Sequence, residues 1–128
     1  LKNWEIMNRS SNPVKHYAQA VYDFTIDGGA ATTITPAQTS IIPDNAIITD
    51  IAIEQLITAA GNTHTMVVNA GNVAITAALS FGNRSLTVPW TTVLPKKATS
   101  ATAITVTLSA VATAGKSVIT VGYFMSGE

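Results

Sequence analysis

Ala46-Ile47-Ile48-Thr49-Asp50-Ile51-Ala52-Ile53-Glu54-Gln55-Leu56-Ile57-Thr58 is the longest apolar run of the chain, and the fold class turns on whether it is helix or strand. Read as a helix capped by Asp44, its apolar positions spread around the whole circumference and leave no stripe to face a core. Read as a strand, Ile47, Ile51, Ile53 and Ile57 share one face while Asp50 and Glu54 lie opposite. β-Branched residues dominate the run, so the strand reading is adopted.

The same period of two extends outward in both directions. Upstream, Ala18, Ala20, Tyr22, Phe24 and Ile26 alternate with Gln19, Asp23 and Thr25 up to the turn signal Asp27-Gly28-Gly29. Short strands follow at Ala31 to Thr35, stopped by Pro36, and at Thr39 to Ile42, before Pro43. Downstream, Gly61-Asn62 and Gly71-Asn72 punctuate Thr63 to Asn69 and Val73 to Leu79, which suggests a hairpin through an Ala-Gly-Asn turn. Phe81 to Thr92 is less regular, with a turn signal at Gly82-Asn83 and an interruption at Pro89, and Pro95-Lys96-Lys97 reads as a charged loop. At the end, Thr102, Ile104, Val106 and Leu108 alternate with Ala103, Thr105 and Thr107. Thr113-Ala114-Gly115-Lys116 then reads as a tight turn into Ile119, Val121, Tyr123 and Met125, so a terminal hairpin is expected. About eight strands with frequent turns and no convincing helix point to an all-β fold, an antiparallel β-sandwich with jelly-roll connections.

Residues 1–16 stand apart. They hold Lys2, Arg9 and Lys15 against Glu5, the apolar anchors Trp4, Ile6 and Met7, and the breaker run Ser10-Ser11-Asn12-Pro13. No apolar period there supports an independent helix, so an extended N-terminal arm is expected, with the sandwich domain occupying 17–128.

Composition bounds the function. The chain has 128 residues, enough for one domain with a single two-layer core. Charged residues make up 11% of it, under half the roughly 25% of an ordinary soluble domain. Mean hydropathy is +0.32 and the formal net charge is zero, so part of the surface is expected to be covered by other chains. No stretch approaches the roughly 18 apolar residues of a spanning helix. The absence of cysteine excludes disulfides, thiolate metal sites and cysteine nucleophiles. No apolar stretch follows Lys2, so cytoplasmic synthesis is expected.

Residues capable of chemistry do not converge. His64 has strand spacing with Met66 and Val68, which suits a packed or interface imidazole, and a trimer interface is its candidate place. Asp50 and Glu54 lie about 13 Å apart on an extended strand, too far for a glycosidase pair, and they read as a solvated face, with Asp23 and Asp27 as strand-end and turn residues. Gly115-Lys116-Ser117 lacks the upstream glycine of a phosphate loop. Seven basic residues balanced by seven acidic ones give no basic stripe for nucleic acid. Phe81, Arg84 and Trp90, with Lys96 and Lys97, are candidate loop contacts, since aromatic loops at the end of a sandwich can stack on sugar rings. No enzyme activity and no cofactor are expected.

Val21-Tyr22-Asp23-Phe24-Thr25-Ile26-Asp27-Gly28-Gly29 and Ile42-Pro43-Asp44-Asn45-Ala46-Ile47-Ile48-Thr49-Asp50, closed by Thr113-Ala114-Gly115-Lys116, resemble small structural proteins of tailed bacteriophages. In particular the chain resembles head decoration, or cement, proteins with a β-sandwich or jelly-roll body, over roughly residues 20–125. The shared features are strand texture and turn signals, so no catalytic or metal-binding residue is carried over. The resemblance implies a homotrimer on the outer capsid surface that fastens neighbouring capsomers. Its partners would be its own copies and the major capsid protein, with no nucleic acid or membrane. The arm, extended over up to roughly 50 Å, would reach a neighbouring subunit or the shell through Trp4, Ile6, Met7, Arg9, Lys15 and Tyr17. Two alternatives stand beside this: a tail-fibre or receptor-binding module, and a sugar-binding sandwich.

Overall fold

The computed structural model describes residues 14–61, 65–80, 86–87 and 94–125, and they form two antiparallel sheets face to face. In chain order the strands are β1 (His16–Asp23), β2 (Thr33–Ile34), β3 (Gln38–Thr39), β4 (Ile41–Ile42), β5 (Ala46–Gly61), β6 (Thr65–Ala70), β7 (Val73–Ala74), β8 (Leu79–Ser80), β9 (Leu86–Thr87), β10 (Lys96–Lys97), β11 (Thr102–Leu108) and β12 (Ala112–Met125). One sheet runs β3-β1-β12-β5-β10, with β9 also against β5; the other runs β2-β11-β6-β7, with β4 against β11 and β8 against β6.

Apart from the two-residue β3, which lies at the sheet edge beside β1, the other eleven segments occupy eight positions. β2 and β4 lie along one side of β11, β7 and β8 along one side of β6, and β9 and β10 along one side of β5. Numbered by position, the first sheet reads 1-8-3-6, with β3 added outside β1, and the second reads 2-7-4-5, the two interlocked Greek keys of a jelly roll. The expected all-β sandwich is therefore what the chain adopts.

Tyr22, Ile42, Ile48, Met66, Val68, Ile104, Val106, Leu108, Ile119 and Val121 fill the space between the sheets, each at most 2% exposed. Two polar pairs are built into this packing. The Ser117 hydroxyl donates to the Gln55 side-chain oxygen at 2.6 Å, both groups buried. Between the stretches of β11 paired with β2 and β4, the Thr39 hydroxyl accepts from the Ile104 N–H at 3.3 Å, so a side chain from the opposite sheet closes the gap in the ladder.

Four expectations are corrected. First, Phe24 and Ile26 do not continue β1: Phe24–Asp27 form one helical turn, α1, because the Asp23 carboxylate accepts from the Thr25 N–H at 3.0 Å and caps it, leaving Ile26 exposed. Second, β5 changes phase twice. Gly122 faces Asp50 but Tyr123 faces Ile48, and Ser117 faces Gln55 but Lys116 faces Ile57, so one residue is inserted at each place. Ile48 turns inward in place of Ile47, and Ile57 turns out.

Third, there is no terminal hairpin: β11 pairs with β2, β4 and β6, whereas β12 pairs with β1 and β5 in the other sheet. Residues 109–111 make the crossing, and Thr113-Ala114-Gly115-Lys116 lies inside β12, where Gly115 takes a φ of +140° amid register slips. Fourth, Lys96 and Lys97 are a strand paired with Ile48 and Ile47, not a loop. The Gly71-Asn72 hairpin holds, with Ala70 facing Val73 and Asn69 facing Ala74.

The Tyr22 hydroxyl donates to the Gly28 carbonyl at 2.6 Å. Burial, with Asp27 and then Asp23 adding, pushes the phenol up to about 12. An unfolded tyrosine titrates near 10, so between about pH 10 and 12 the unfolded chain has released a proton that the folded chain retains. Stability is complete below about pH 10 and falls as pH rises, by roughly 2 kcal/mol. Urea midpoints across this range should decline, and Tyr22→Phe should flatten the decline; equal slopes in both proteins would disprove the assignment.

Candidate interaction surface

The outward faces of the two sheets differ in charge. On the β1-β12-β5 sheet, Lys15 reaches across β12 to pair with Asp50, and its ammonium lies 5.3 Å from the centre of the Phe124 ring. Gly122 lies beneath this bridge, and a Cβ there would overlap the Asp50 carboxylate. Desolvation pushes the Asp50 carboxyl up, but hydrogen bonds from Lys15 and Thr49 and the Lys15 charge outweigh it and hold the group below its ordinary value. Glu54 is exposed on the same sheet, and Lys116 approaches Asp23 at 3.9 Å.

Among the described residues, the opposite sheet has no charged residue in any of its strands, β2, β4, β6, β7, β8 and β11. Its outward positions carry Thr33, Ile41, Val67, Asn69, Ala74, Ala103, Thr105 and Thr107, as the register with inward Ile104, Val106 and Leu108 requires. The polar groups there bond one another. Asn69 donates to the Thr105 and Thr107 hydroxyls at 3.2 and 3.0 Å, Thr33 and Thr107 hydroxyls meet at 2.8 Å, and Thr105 donates to the Gly71 carbonyl at 2.8 Å. Asn69 and Thr105 are each only 6% exposed. A face whose hydrogen bonds are already made loses little when water is removed from it.

Of the residues singled out from the sequence, Lys15, Tyr17, Lys96 and Lys97 are described here. Lys15 is held by Asp50 within the chain, Tyr17 is 64% exposed on the outward side of β1, and Lys96 and Lys97 border a cavity of about 280 Å³. Trp4, Ile6, Met7, Arg9, His64, Phe81, Arg84 and Trp90 lie outside the described residues. Among the described residues no three His, Asp or Glu side chains gather as a metal site, and no helix is long and apolar enough to cross a membrane. The charge-free face was not singled out from sequence, although the lack of any Asp or Glu from Gln55 to Gly127 is a signal of it.

No protein-family model matches the sequence, and no curated protein does. Solved structures do match it in fold. A chain of the acid-stable capsid of Helicobacter pylori bacteriophage KHP30 superposes with a TM-score of 0.56 at 18% identity, over 88% of both chains. A chain of the Ralstonia phage GP4 capsid gives 0.59 at 15% identity, over 88% of this chain and 86% of that one. A chain of the cyanophage Pam1 capsid asymmetric unit gives 0.54 at 17%, over 89% and 86%. Phage capsids contain this fold. Because each match covers nearly equal shares of both chains, the matched chains are close to this one in length, and the jelly roll makes up most of each.

Proposed function

We propose that the chain is a structural virion protein, without catalytic activity, that binds the outer surface of a phage capsid as a homotrimer and stabilises contacts between capsomers after synthesis in the host cytoplasm. The observation that carries this reading is the match, across nearly the whole of both chains, to small chains of three phage capsids. Low charge and the self-bonded outward face of the β11 sheet support it. Burying that face against a neighbouring copy strands no ion and leaves few hydrogen bonds unmade, while its small side chains allow close approach.

Quantitative mass spectrometry of purified virions tests the proposal. A molar ratio to the main shell protein near one is expected. A ratio of a few per cent would move the chain to a tail or vertex and favour receptor binding, and absence from virions would overturn the virion role. Light scattering of the isolated protein should return about three times the 13.3 kDa chain mass; a persistent monomer would remove the trimer.

A further inference from the structure

The cavity of about 280 Å³ lies at one end of the sandwich, between the Gly71-Asn72 turn and the segment from Lys96 to Thr102. Lys96 pairs with Ile48, whose side chain is fully buried, so Lys96 stands on the core-facing side of the sheet edge and is itself half-buried. Neither Lys96 nor Lys97 is in an ion pair among the described residues, and none of the described residues lining the cavity is a carboxylate; its wall includes Asn72, Thr99 and Ser100. The sequence deepens the imbalance: from Gln55 to Gly127 it carries Arg84, Lys96, Lys97 and Lys116 and no acidic residue. A lysine held half-buried at a cavity rim, with no counter-ion among the described residues, has its donors free for an incoming anion.

We propose that this cavity receives a carboxylate side chain from an acidic, extended segment of a partner protein, with Lys96 as its counter-ion. The cavity falls just below the roughly 300 Å³ at which small-molecule pockets begin, and no aromatic residue lines it among the described residues, so it suits one or two side chains better than a stacked sugar. β10 and β7, the terminal strands of the two sheets, both border it, and neither has a partner on its outer edge among the described residues, so an extended segment could pair with either. Placing this partner on the shell rests on the capsid reading above; the carboxylate chemistry does not.

Titration of the isotope-labelled protein with a hexaglutamate peptide tests the site. Saturable amide shifts are expected at Gly71 to Val73 and Lys96 to Thr102, absent with hexaglutamine, weakened by salt, and about tenfold weaker in affinity for Lys96→Ala. An unchanged thermal midpoint for Lys96→Ala shows that the variant is folded. Shifts that survive Lys96→Ala, or no saturable shift, overturn the proposal, as does sialyllactose binding in preference to the peptide, which assigns the cavity to acidic sugar. Binding to shells stripped of the chain separates the two readings. If the native protein binds and Lys96→Glu binds equally, the cavity proposal fails alone; if the native protein does not bind, the capsid reading fails and the peptide result stands.

Discussion

Ile48→Ala should cost roughly 2–5 kcal/mol of folding stability, and Ile47→Ala, one residue away, only about 1 kcal/mol. The two side chains are identical, and simple alternation with Ile51 and Ile53 would place Ile47 inside. The inserted residue opposite Gly122 and Tyr123 reverses this: Ile48 is fully buried, while Ile47 lies half-buried on the outward face, opposite Phe124. Truncating Ile48 removes apolar contacts between the sheets and leaves a space that the stiff flanking strands close only in part. Truncating Ile47 loses partly hydrated surface. Urea midpoints at constant slope give the comparison directly. Equal losses, or a larger one for Ile47, would show that β5 keeps a single phase.

Gly29→Ala is expected to destabilise by about 3 kcal/mol or more, the upper range for forced overpacking. Gly29 lies against the start of β12, where its carbonyl accepts the Ala112 N–H at 2.8 Å. A Cβ at Gly29 would overlap the Ala112 carbonyl oxygen and also touch the Phe24 ring at 3.0 Å. The ring can turn aside; the carbonyl belongs to a strand held by the long β12–β5 ladder. Phe24→Leu should therefore fail to rescue Gly29→Ala in the double variant, whereas recovery would place the obstacle in the ring. The readout is thermal or urea unfolding of both variants.

These two residues show where sequence reading succeeds and where it stops. Inward positions were legible wherever a strand runs without interruption: Ala18 to Tyr22, Ile104 to Leu108 and Ile119 to Tyr123 all point as their alternation implies. Inward positions were lost at Ile47 and Ile57, because an inserted residue follows from the fit between two paired strands and has no local signature in Thr49 or Leu56. Phe24 and Ile26 were misplaced because Asp23, read as a strand-end residue, also caps a helical turn. Among candidate contacts, the pairing of Lys15 with Asp50 was invisible, since it joins groups 35 positions apart through the β1–β12–β5 order.

The sequence by itself determined that the chain is built of strands, that the described turns at Asp27-Gly28 and Gly71-Asn72 fall at their local signals, and that charge is sparse along it. Each is a property of a few neighbouring residues: backbone preference, side-chain period and composition. Tertiary structure alone decided that β11 and β12 part into opposite sheets instead of forming a hairpin. Each must bury its own inward row, and the jelly roll places those two rows across the core from one another. It also decided that the six strands β2, β4, β6, β7, β8 and β11, none of them charged, share one sheet, which turns sparse charge along the chain into a charge-free face among the described residues.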